Sequence, residues 1–124
     1  MKKFCLIFVI ALFAIPLLAQ EENNDVKVMK PALLVIDIQN QYKNFVSEPE
    51  RNIGIMMMNM SIFLFRQHNL PVIRVYHSSA EWGVPEPGTE EFQFWDEVNI
   101  DSSDAMVLKN YRDSFKRTDL DKIL

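Results

Sequence analysis

The stretch ALLVIDIQNQY, residues 32–42, decides how the chain is read: an apolar run that ends abruptly in a carboxylate, two amides and a phenol. Leu33, Leu34, Val35 and Ile36 follow one another without polar alternation, which suits a strand covered on both faces, as in a parallel sheet flanked by helices. Asp37 then stands at the carboxyl end of that strand. Ligands of open parallel sheets bind in the crevice outside the strand ends, so a polar residue there is a candidate for chemistry. The alternative is that Asp37 caps the following loop through its own backbone, since Asp is a common turn former.

Downstream, Ser47 with Glu50 three residues on, and Pro49 in the first turn, mark a helix start. Ile53, Met56, Met57, Met60, Phe63 and Leu64 recur at the three-and-four spacing of one helix face, which predicts that they form its buried side. A stripe of Met and Phe is read as core packing rather than as a soft-metal site, because Met fills irregular gaps. Asn69 and Pro71 stop the helix, and VIRVY, residues 72–76, predicts a second strand ending at His77. Strand, helix, strand in this order is the crossover unit of a parallel sheet.

Residues 78–98 hold two glycines, two prolines and four aromatic rings, Trp82, Phe92, Phe94 and Trp95. So long a loop inside a compact domain is usually functional, and its rings either wall a pocket or bury themselves to hold it down. A third apolar run, AMVL at 105–108, ends at Lys109, and a further helix start is expected at Thr118. Three strands thus end in Asp37, His77 and Lys109. Parallel strands put all three ends on one edge, where a carboxylate beside an ammonium stays ionised and can accept a proton. A purely structural ion pair at the same place is the competing reading.

Composition bounds the rest. The chain has 124 residues, 48% hydrophobic and 24% charged, which fits a single globular domain. Residues 1–20 have the layout of a secretory signal peptide, with Lys2 and Lys3 ahead of an apolar run and small Ala19 before Gln20. An exported, periplasmic or secreted protein is expected, with no stable membrane association after cleavage. Residues 21–30 read as a polar leader and 31–124 as the domain. The formal charge is −4, and without Lys2 and Lys3 it is −6, so nucleic acid is not an expected partner. Cys5 is the single cysteine and lies in the signal segment, which leaves the mature chain without a thiol. No cofactor or metal is expected, because His77 and Asp37 alone provide too few ligands.

Four segments together, ALLVIDIQNQY, LPVIRVYH (70–77), EPGTEEF (86–92) and VLKNYRDSFKRTDL (107–120), resemble the N-terminal half of the isochorismatase-like cysteine hydrolases, the group that includes nicotinamidases and related amidases. The resemblance implies a three-layer α/β/α fold with a parallel, Rossmann-like sheet. It also implies that Asp37 is the general base and Lys109 completes the site, both acting with a cysteine that attacks an amide or related carbonyl. Tyr42 matches a position that lines the family's pocket. With Gln39, His77 and Trp82 it makes up the expected substrate-binding set for a small molecule. Val75 stands where nicotinamidases carry a metal-binding Asp, which favours a metal-free amidase or an isochorismatase-type reaction. The cysteine-bearing segment of the family has no counterpart here. The chain is therefore expected to be truncated after its third strand, to expose apolar surface beside a poorly covered sheet, and to aggregate or form a homo-oligomer. A catalytically inactive binding module of the same fold is the alternative.

Overall fold

The computed structural model describes residues 30–124; the expected signal peptide and nearly all of the polar leader lie outside the described residues. Strand β1 (Leu33–Ile36) leads through a 3-10 turn (Asn40–Phe45) into helix α1 (Glu48–Gln67), which returns the chain to strand β2 (Val72–His77). A long irregular segment then reaches strand β3 (Ala105–Lys109), and a single-turn helix α2 (Leu120–Ile123) follows. The strands are parallel in the order β1-β2-β3. Leu33 is paired with Val72 and Ile36 with Val75, while His77 is paired with Lys109. This register brings the three polar strand ends to one edge of the sheet.

Local chemistry accounts for the element boundaries. The Glu50 carboxylate accepts from the backbone N–H of Ser47 at 3.3 Å and from its hydroxyl, closing the first turn of α1. At the other end Asn69 takes the left-handed conformation, φ 53°, and Pro71 follows.

Side chains alternate across the sheet, so each face has its own core. On the α1 side, Val35, Val72 and Tyr76 pack with Ile62 and with Phe92, Phe94, Trp95 and Val98 of the long segment. On the other side Ile73, Val75 and Val107 close around Leu120 of α2. Three of the four loop aromatics are therefore structural, and only Trp82 is left in solvent.

The buried side of α1 differs from the expected one. Ile53, Met56, Met57, Met60, Phe63 and Leu64 are each 50–60% exposed. The sheet is met instead by Ile62, with Ile55, Met58 and Phe65 beside it. Both sets recur at helical spacing, so α1 is apolar on two sides and the sheet takes one of them. The expected exposed apolar surface exists, but it runs mainly along the outer side of the helix. On the sheet face opposite α1, Ile73 and Val75 are fully buried.

Candidate active site

Asp37 leaves β1 with φ 58°, a left-handed backbone that a residue with a side chain adopts at some cost and that Asp tolerates better than most. The backbone is held there by the Asp37 N–H, which donates to the carbonyl of Val75 at 3.0 Å. The turn sends the carboxylate across the end of β2. Its Oδ2 lies 2.8 Å from the Nζ of Lys109, whose side chain is only 5% exposed against 33% for Asp37. Lys109 also donates to the carbonyl of Arg112 at 3.2 Å. Oδ1 of Asp37 is buried with no hydrogen-bond partner. One carboxylate oxygen is thus committed to the ammonium and the other is free to accept a proton.

His77 sits between them at the end of β2. Its Nδ1 shares a 3.0 Å hydrogen bond with the Tyr42 hydroxyl, and the two rings are nearly parallel with centroids 6.5 Å apart. Burial pushes the imidazole below its ordinary value near 6.5; the Asp37 charge opposes this and the Lys109 charge adds to it. The ring is therefore neutral at pH 7. Burial, and then the Asp37 charge, push the Tyr42 phenol up, so it too stays protonated.

Gln39 was expected to contact substrate and is placed otherwise. It is 0% exposed, and its amide is taken up by the chain. Nε2 donates to the carbonyls of His77 (3.1 Å) and Phe92 (3.0 Å), and Oε1 accepts from the His77 N–H at 2.8 Å. Its own carbonyl accepts from the Trp95 indole N–H at 3.0 Å. Gln39 is a positioning residue that fixes the His77 backbone and ties the long segment under the site.

Trp82, 72% exposed, stands apart from the ion pair on one wall of a cleft of about 290 Å³. His77, Ser79 and Glu81 line the cleft from the β2 side, and Tyr111 and Arg112 from the β3 side. Sequence reasoning did not single out Glu81, Tyr111 or Arg112; the available signal was that the last two directly follow the strand-ending Lys109. Among the described residues no group of three or more His, Cys, Asp or Glu is placed to hold a metal ion.

The arrangement defines an α/β protein with an Asp–Lys salt bridge at the carboxyl edge of a parallel sheet. No family model and no curated protein matches the sequence, but solved structures do. N-carbamoylsarcosine amidase from Thermoplasma acidophilum is 28% identical with a TM-score of 0.63, over 77% of this chain and 61% of that one. An isochorismatase family protein is 26% identical with a TM-score of 0.61, over 74% and 54%. Another, from Burkholderia thailandensis, is 24% identical with a TM-score of 0.60, over 74% and 56%. The chain has the isochorismatase-family hydrolase fold and spans about half the length of these structures.

Proposed function

We propose that the Asp37–Lys109 edge is the acid–base part of a hydrolase that cleaves an amide or related C–N bond in a small molecule. The observation that carries this reading is the unshared Oδ1 of Asp37, a buried acceptor on a carboxylate whose other oxygen is salt-bridged to the buried ammonium of Lys109. In this reading Oδ1 takes the proton of a thiol as it attacks the carbonyl. The same carboxyl then returns that proton to the departing nitrogen, and a water, deprotonated in turn, releases the acyl group from sulfur. Lys109 orients the Asp37 carboxylate through their 2.8 Å contact and offsets negative charge developing on the carbonyl oxygen. The thiol must come from a residue other than those at 30–124, which include no cysteine.

That same lack favours a second reading, a binding module that keeps the crevice without the chemistry. Ammonia release from simple primary amides and N-carbamoyl amines separates the two, measured on the full product of the gene. Hydrolysis that disappears in Asp37→Ala and in Lys109→Ala supports the enzyme. Saturable binding of the same compounds without release supports the module, and undiminished hydrolysis by Asp37→Ala sinks the base assignment.

The proposal includes export, supported by the sequence of residues 1–20 alone. Amino-terminal sequencing of the protein recovered from producing cells should find a start close to Gln20. A retained Met1 would overturn it.

A further inference from the structure

The cleft beside His77 has two walls that are stitched together at their base. The Ala80 N–H donates to the Asn110 carbonyl at 3.0 Å, and Asn110 Nδ2 donates to the Ser78 carbonyl at 2.7 Å. Above these bonds the walls diverge. On the β2 side, Ser79 Oγ accepts from the backbone N–H groups of Glu81 (3.2 Å) and Trp82 (3.3 Å). The turn closes through the N–H of Gly83, which donates to the Ser79 carbonyl at 2.7 Å with the glycine at φ 64°. On the β3 side, Lys109 holds the Arg112 carbonyl. Tyr111 is fixed by Lys116 over its ring, 4.2 Å from the centroid, and by Arg117, which donates to its hydroxyl at 3.1 Å. Both walls are thus held by bonds within the chain, which lowers the ordering cost of binding.

The walls present complementary chemistry. One carries a carboxylate, Glu81, and the Trp82 indole; the other carries a guanidinium, Arg112, and the Tyr111 phenol. Among the described residues neither Glu81 nor Arg112 forms an ion pair, with each other or with any other side chain. Two opposite charges left unpaired across one aromatic-walled cleft match a ligand that carries both charges itself.

We propose that this cleft binds a small zwitterion of amino-acid type, its carboxylate on Arg112, its ammonium on Glu81 and its apolar side chain against Trp82 and Tyr111. His77 lines the same cleft and closes it toward the Asp37–Lys109 pair, so the ligand lies next to the acid–base edge. That this ligand is also the substrate rests on the function proposed above; its binding does not.

The test is a set of fluorescence titrations of the full chain, with Trp82 as the exposed reporter and a Trp82→Phe variant as the blank. The probes are phenylalanine, 3-phenylpropionate, which lacks the ammonium, and phenethylamine, which lacks the carboxylate. Phenylalanine should saturate at a concentration about fivefold below either of the others, the gain expected of one solvent-accessible ion pair. Arg112→Gln should remove its advantage over phenethylamine, and Glu81→Gln its advantage over 3-phenylpropionate. Both side chains are exposed, and an unchanged melting temperature in each variant shows that the fold is kept. Equal affinity for the three probes, no saturation with any, or an advantage that survives both substitutions overturns the proposal. Failure of amide hydrolysis leaves these titrations untouched, so the two readings fall separately.

Discussion

Asp37 and Lys109 meet at 2.8 Å although their strands are not neighbours: β2 lies between β1 and β3, and the pair closes over its end. The contact needs the left-handed turn at Asp37 to carry the carboxylate over and the long lysine side chain to reach back.

Removing one partner should cost stability, whatever chemistry the pair serves. Asp37→Asn leaves a buried ammonium with only the Arg112 carbonyl, a loss on the order of 3 kcal/mol, read as a lower urea midpoint. In the double variant Asp37→Asn/Lys109→Met the loss should be smaller than the sum of the two singles, because no orphaned charge remains. Strict additivity in that cycle would show that the pair is not coupled.

The depressed affinity of His77 for protons sets a pH dependence. The unfolded chain binds a proton near pH 6.5 and the folded chain only below that. The stability contributed by burying the neutral ring is therefore complete above about pH 6.5 and is lost as pH falls through the folded value. Chemical denaturation between pH 7 and 5 should show stability falling with acid, and His77→Gln should flatten that slope. An equal slope in the variant would place the titration elsewhere.

Gln39 should behave as a structural residue. Gln39→Leu is close in volume but strands the His77 N–H and the carbonyls of His77 and Phe92. The expected loss is about 2–4 kcal/mol, from unsatisfied buried groups at roughly 1–3 kcal/mol each with partial relaxation. A melting temperature equal to that of the parent would show that the amide is dispensable.

The two sides of α1 should respond oppositely to substitution. Ile62→Ala opens a void against the sheet and should cost about 2–4 kcal/mol without altering self-association. Met60→Glu with Phe63→Glu should leave the thermal transition nearly unchanged, and if the outer stripe drives self-association, sedimentation velocity of the parent should show concentration-dependent association that this variant lowers. Association that persists in this variant would assign the self-contact to another surface.

Much of this is legible in the sequence. The apolar runs fixed three strands to within a residue or two, the Ser47–Glu50 pair placed the start of α1, and strand ends that must share an edge brought Asp37 and Lys109 together. The placement of Gln39 and the buried side of α1 are not legible in the sequence, for physical reasons. A polar residue after a strand end looks the same in sequence whether its amide faces a ligand or three backbone groups. A helix apolar on two sides carries one period twice, and only the sheet's position decides which stripe is covered. The walls of the His77 cleft were unreadable because Glu81 and Arg112 come together only through the β2–β3 pairing and the stitches at Ala80 and Asn110.

The Gln39 amide also dictates where this protein can tolerate change. Through it the His77 backbone is fastened to Phe92, and residues 40 and 41 donate to the carbonyls of Gln93 and Glu91. Added residues between 91 and 95 would therefore be felt at the Asp37–His77 strand ends, far from them in sequence. The exposed tip at Pro87 and Gly88 lies outside these bonds, and length variation there can be absorbed while the strand ends stay in register.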